Sequence, residues 1–202
     1  MAFEPSRQAF KDAADEAYSK NPKSEISDGL KLIFATPTLK FWRRGNTVMV
    51  GIRGTQDARD LVADARIALG LLQYSSRFKE DLKILNEVQG AYRDDIFYGS
   101  GHSLGAAILD LFISRKLIYK GVSYNGALQL GKEETANQRV YASGDALGLL
   151  SRPFLYNPAE IRYKPTDIDP TSFPVEYFLN QHGLEGIGAG KSQHRPRRYS
   201  MR

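Results

Sequence analysis

Near the start of the chain, apolar side chains fall at Phe10, Ala13, Ala14, Ala17 and Tyr18. That i, i+3, i+4 spacing predicts a helix over 6–20, closed by Asn21-Pro22. The pattern then changes. Runs at 30–35, 39–43 and 47–52 read as strands, and the turn signal Arg44-Gly45-Asn46 joins the last two into a hairpin. A polar segment (53–64) and a short apolar one (67–72) follow. Helical periodicity returns over 76–93, where Phe78, Leu82, Leu85, Val88 and Tyr92 share one face. Ile96-Phe97-Tyr98 is a short strand-like run ending in Gly99-Ser100-Gly101, and 104–118 reads as a long, mostly buried helix. Further strands are expected near 121–125 and 139–142. Residues 153–174 hold five of the nine prolines without a clear period, which predicts a long surface excursion of the kind that shapes a site.

Strands alternating with helices behind a leading hairpin predict an α/β fold, with a mostly parallel central sheet flanked by helices. At 202 residues the chain suits one domain with a proper core. Its formal charge of +5 invites a nucleic-acid reading until the charge is located. Residues 191–202 carry Lys191, Arg195, Arg197, Arg198 and Arg202 and no acid; without them Lys+Arg falls from 28 to 23, equal to the 23 Asp+Glu. The expected organisation is therefore a neutral domain over 1–190 and a basic, disordered tail over 191–202. Nucleic-acid binding is not expected, since Tyr199 is the tail's one aromatic and offers no base-stacking platform. The tail is either a solvated terminus or a peripheral contact with an anionic membrane or acidic partner. The chain has no cysteine, which removes thiol nucleophiles and thiolate metal sites. No charged start with an apolar run is present, so an intracellular, cytoplasmic location is expected, without a membrane-spanning segment.

Gly101-His102-Ser103-Leu104-Gly105 satisfies the G-x-S-x-G nucleophile elbow. The serine of such a turn sits between a strand and a helix, and side chains at the two flanking glycines would strike neighbouring backbone. The short apolar strand before the motif and Ala106-Ala107 after it supply the expected context. A serine hydroxyl needs a base, and the base needs an orienting carboxylate. Of three histidines, His102 lies inside the elbow, where it should point away from the reacting atom, and His194 lies in the tail. His182 remains. For the acid, Asp145 follows the strand-like run ending at Ala142, while Asp167 and Asp169 are rivals in the excursion. The oxyanion hole takes the N–H of the residue after the nucleophile, Leu104, and one from an earlier loop, here Arg53-Gly54-Thr55.

Val48-Met49-Val50-Gly51-Ile52-Arg53-Gly54-Thr55, followed by Asp60-Leu61-Val62-Ala63-Asp64, resembles the signature of the class 3 lipases, an α/β-hydrolase family. The elbow, extended by Ala106, is similar to that family's Gly-His-Ser-Leu-Gly-Gly, and the resemblance runs over roughly 30–187. It implies a small α/β-hydrolase fold and a triad of Ser103, Asp145 and His182. It also implies an oxyanion hole from Thr55 and Leu104, and a lipase or esterase activity on carboxylic esters of lipids. Leu61 stands where the family often has Trp, and the stretch between Asp64 and Ser76 is short for a large lid.

Other signals are set aside. Gly186-Ile187-Gly188-Ala189-Gly190-Lys191-Ser192 lacks the first glycine of a phosphate loop, because Glu185 occupies that position. Three scattered histidines without a thiol predict no metal site, and no cofactor is implied. Residues 67–72 and 147–155 are candidates for an acyl-chain surface. Two other uses of the same fold remain open. One is a non-catalytic binding module that docks through its tail; the other is an acyltransferase working with the same triad.

Overall fold

The computed structural model describes residues 2–55 and 72–126 in full, and the strands at Asn137–Ala142 and Ile161–Tyr163 by their backbone. Helix α1 (Arg7–Glu16) starts where the Ser6 hydroxyl accepts the Ala9 N–H, a side-chain N-cap. Its buried positions are three alanines and Phe10, so the helix lies close on the sheet. Strands β1 (Glu25–Ile26), β2 (Leu30–Ala35), β3 (Leu39–Arg44) and β4 (Thr47–Ile52) form an antiparallel meander. Arg44 pairs with Thr47 across the two-residue turn, in which Gly45 takes φ +55°. A positive φ at the first turn position suits the twist of a tight hairpin.

From β4 onward the sheet is parallel: β5 (Ile96–His102), β6 (Lys120–Tyr124), β7 (Asn137–Ala142) and β8 (Ile161–Tyr163) follow in spatial order. Parallel neighbours need crossovers, and in the described residues α2 (Ser76–Ala91) and α3 (Leu104–Ser114) supply them. Because the strand order never reverses, right-handed crossovers put both helices on one face of the sheet. That face holds the larger core, where Phe78, Leu85, Ile108, Leu109 and Phe112 pack on Phe41, Val48, Val50 and Ile52. Helix α1 covers the other face, against Trp42, Met49, Tyr98 and Val122. Covered on both sides, β4 is buried along its whole length, as its unbroken apolar run demands.

Three elements depart from the sequence-based expectations. Helix α1 ends at Glu16, not at residue 20, which frees Tyr18 from the helical face it was expected to share. Helix α3 ends at Ser114, not 118. Lys116 takes φ +60°, the Leu117 N–H donates to the Phe112 carbonyl and the Lys116 N–H to Ile113. This is a Schellman closure made without glycine. The proline-bearing stretch 153–174, expected to be a loop excursion, contains β8.

Candidate active site

Parallel register brings two chain exits together. Ile52 at the end of β4 pairs with Gly101 near the end of β5. The Arg53-Gly54-Thr55 loop and the Gly101–Gly105 turn therefore leave the same edge of the sheet side by side. Carboxyl ends of parallel strands are where sites of open α/β sheets gather.

Ser103 occupies φ +57°, ψ −123°, between the last residue of β5 and the first of α3. A positive φ costs a residue with a Cβ roughly 1–3 kcal/mol, so the surrounding packing must impose it. The packing is backbone on backbone. A Cβ at Gly101 would lie 2.5 Å from the Gly105 carbonyl oxygen, and one at Gly105 would press into the Ile52 carbonyl. The Ser103 N–H donates to the Tyr124 carbonyl at 3.1 Å, which ties the turn to β6.

A serine at a helix N-cap ordinarily accepts a hydrogen bond from the first turn. Ser103 makes no such bond. Its Oγ is buried and has no hydrogen-bond partner among the described residues. A buried polar atom without a partner is rare in folded proteins and calls for an explanation. The Leu104 N–H, at the first position of α3, is one of four helix N-terminal donors with no intrahelical acceptor, and the positive end of the helix dipole lies at Ser103.

The loop opposite is held by the Tyr18 and Arg77 side chains and by the main chain at Thr38. A Cβ on Gly54 would stand 3.2 Å from the Ser103 Cβ, 2.5 Å from the His102 carbonyl oxygen and 2.6 Å from the Tyr18 hydroxyl. Only glycine lets the loop run this close to the elbow. The Gly54 N–H donates to the Tyr18 hydroxyl at 3.1 Å, and that hydroxyl lies 2.8 Å from His102 Nδ1. The Tyr18 hydroxyl thus bridges the Gly54 N–H and the His102 ring. Burial pushes the Tyr18 phenol up to about 12, so it keeps its proton.

On the other side of the loop, the Arg53 N–H donates to the Thr38 carbonyl at 2.9 Å and the Arg77 guanidinium donates to the Arg53 carbonyl at 2.8 Å. Arg77 Nε also donates to Asp81, whose second oxygen accepts from the Thr38 hydroxyl, both at 2.6 Å. Asp81 is fully buried, and burial raises its carboxyl above the usual range against the pull of Arg77 and Thr38. Nearby, the almost fully buried Lys40 donates to the Thr36 carbonyl, and burial together with Arg53 lowers its ammonium.

Of the expected site residues, the structure brings together Ser103, Leu104 and the loop ending in Thr55. Asp145, His182, their rivals Asp167 and Asp169, His194, the phosphate-loop look-alike, 147–155 and the five tail cations lie outside the described residues. So do 60–64 and all of the 67–72 stretch except Leu72, which is buried in the larger core. Tyr18, Thr38, Arg77 and Asp81 were not singled out by sequence. Their contacts span from 4 to 84 residues of chain, and no local pattern announces them. Among the described residues no group of three or more His, Asp or Glu side chains converges as a metal site would, and no helix is long and apolar enough to cross a membrane. A groove of about 560 Å³ lined by Gln89, Ile96, Phe97, Ile118 and Tyr119 lies at the opposite edge of the sheet, away from the elbow.

No family model and no curated protein matches the sequence. Solved structures do. Lip2 lipase from Yarrowia lipolytica superposes with a TM-score of 0.53 at 16% identity, over 77% of this chain and 77% of that one. A lipase from Rhizopus microsporus var. chinensis gives 0.49 at 15% identity, over 80% and 74%. The triacylglyceride lipase of Rhizomucor miehei gives 0.49 at 17%, over 79% and 78%. With its hairpin-led parallel sheet, its strand–turn–helix at the end of β5 and this likeness to the fold of Lip2, the chain has an α/β-hydrolase fold.

Proposed function

We propose that the protein is a serine hydrolase that cleaves carboxylic esters of lipids through an acyl-enzyme on Ser103. The observation that carries this reading is the state of Ser103 itself. The residue is held at a positive φ by glycine-to-backbone contacts, at the N-terminus of a helix, with a buried hydroxyl that has no partner among the described residues. Such a hydroxyl is poorly explained as a cap or a packing group and well explained as a nucleophile.

In this mechanism His182 takes the Ser103 proton as Oγ attacks the ester carbonyl carbon. The tetrahedral oxyanion is stabilised by the N–H groups of Leu104 and Thr55. His182 then passes the proton to the leaving alcohol oxygen, and the acyl-enzyme remains. Water, deprotonated by the same imidazole, attacks the acyl carbon and releases the acid while Ser103 recovers its proton. Asp145 holds the imidazole tautomer and stabilises its charged form. Strand β7 runs parallel to β5 and ends at Ala142, three residues before Asp145, which favours Asp145 over its rivals. The similarity to Lip2 supports a lipid ester as substrate.

Ser103→Ala tests the assignment. Turnover of a para-nitrophenyl ester is expected to fall by about 10⁴-fold or more, with the fold unchanged by circular dichroism. Unchanged turnover in that variant places the reaction elsewhere.

A further inference from the structure

The Arg53–Gly54 peptide is gripped at both ends of its amide plane. Its carbonyl oxygen accepts from Arg77 at 2.8 Å and its N–H donates to the Tyr18 hydroxyl at 3.1 Å. A peptide unit is planar, so two opposed bonds fix its rotation and with it the direction in which the chain enters Thr55. Arg77 is fixed in turn. Its fork spends Nε on Asp81 at 2.6 Å and Nη2 on the Arg53 carbonyl, and Asp81 is pinned by the Thr38 hydroxyl at 2.6 Å. The Thr38 carbonyl closes the ring by accepting the Arg53 N–H.

Helix stability does not account for this pair. An i, i+4 ion pair supports a helix better with the acid first, and here the order is Arg77 then Asp81. Asp81 also sits on the buried face of α2 with Phe78, Leu85 and Val88. A leucine there would serve the core without the cost of desolvating a carboxylate, which is visible in the raised position of its titration.

We propose that Arg77, anchored by Asp81, is a positioning residue that sets the Arg53–Gly54 peptide plane and so aims the Thr55 N–H at the oxyanion. The role depends on reading Thr55 and Leu104 as the oxyanion hole. The planar guanidinium is essential to it: it bridges a carboxylate and a carbonyl at fixed angle, whereas an ammonium offers charge without the fork.

Three variants test the claim: Arg77→Met, Arg77→Lys, and the double Arg77→Met with Asp81→Leu, which removes the buried charge along with its partner. Each is compared with the wild-type protein by amide hydrogen exchange and by kcat and KM on a soluble ester. The Gly54 and Thr55 amides are expected to exchange about tenfold faster or more in all three, while amides of β5 and α2 keep their protection. The kcat is expected to drop by roughly 10- to 100-fold with KM within about twofold, a fraction of what loss of a whole oxyanion donor costs. Arg77→Lys should recover little. Unchanged exchange at Gly54 and Thr55 would overturn the proposal, as would faster exchange of all amides together or full recovery of kcat by Arg77→Lys. A wild-type protein without ester turnover would sink the hydrolase reading, while the exchange data would still decide whether Arg77 holds the loop.

Discussion

At the scale of single residues, the chemistry around the elbow is arranged by hydrogen-bond capacity. The Tyr18 hydroxyl accepts from the Gly54 N–H and shares a second hydrogen bond with His102 Nδ1. The imidazole beside Ser103 is thereby tied to the same hydroxyl that holds the Gly54 N–H. Burial raises the phenol from 10.0 to about 12, against the opposing pull of the Gly54 N–H, Arg53 and Arg77. Between those values the folded protein retains a proton that the unfolded chain has released. The contribution of Tyr18 is therefore complete below pH 10 and is lost as pH rises towards 12. Tyr18→Phe is expected to flatten the fall in stability between pH ~10 and ~12, read by urea unfolding at each pH. An identical slope in the variant would contradict the account. None of this was legible in the sequence, where Tyr18 scored as one more apolar position on a helical face. A phenol's apolar body satisfies such a pattern while its polar tip does something else.

At the scale of elements, the glycines flanking Ser103 set how near helix α3 comes to the sheet. The contact at Gly105 is with main chain, the carbonyl of Ile52 and the carbon of Arg53, so neither side can yield by a rotamer change. Gly105→Ala is expected to cost about 3 kcal/mol in urea unfolding, at the upper end for added core volume, and to displace the Arg53-Gly54-Thr55 loop that follows Ile52. Helix α2 begins with the Ser75 hydroxyl accepting the Phe78 N–H at 3.1 Å. Ser75→Ala should cost about 1 kcal/mol by the same measurement, the usual worth of a cap, and a stability equal to wild type would show that the Arg77–Asp81 ring holds that turn unaided. Elements with strong periodicity or a marked turn were readable beforehand: the 39–52 hairpin, helix α2 and the strand–elbow–helix unit. Their signals are local. The ends of α1 and α3 were not, because Ala17 and Lys116 are tolerable helix residues and the stops come from backbone closure. The three-residue β8 was hidden because it lies between Pro158 and Pro165 in a proline-bearing stretch, and it exists by pairing with β7.

At the scale of the whole molecule, one antiparallel-to-parallel sheet delivers a loop and an elbow to a single edge. That convergence follows from β4 and β5 being adjacent and parallel. The alternation of strands and helices foretold the parallel sheet, and the Arg-Gly-Thr and Gly-His-Ser-Leu-Gly motifs named the two segments that meet. The clamp around them was invisible, since its members come from the end of α1, the β2–β3 turn and α2. Charge also has a whole-molecule placement: the net +5 resides in 191–202. If those cations dock the protein on a surface, a chain truncated after Gly190 will keep its turnover of dissolved esters and lose salt-sensitive binding to anionic vesicles. Five cations are worth roughly 1 kcal/mol each there. Vesicle binding unchanged by the truncation would assign the tail to solvated terminus.

The central claim is that Ser103 is an activated nucleophile. Its most direct test is intact-protein mass spectrometry after treatment with a fluorophosphonate, followed by peptide mapping. The account predicts one phosphonyl adduct, on Ser103, abolished by Ser103→Ala and by prior unfolding. No adduct in the folded protein, or an adduct on another residue that survives Ser103→Ala, would contradict it.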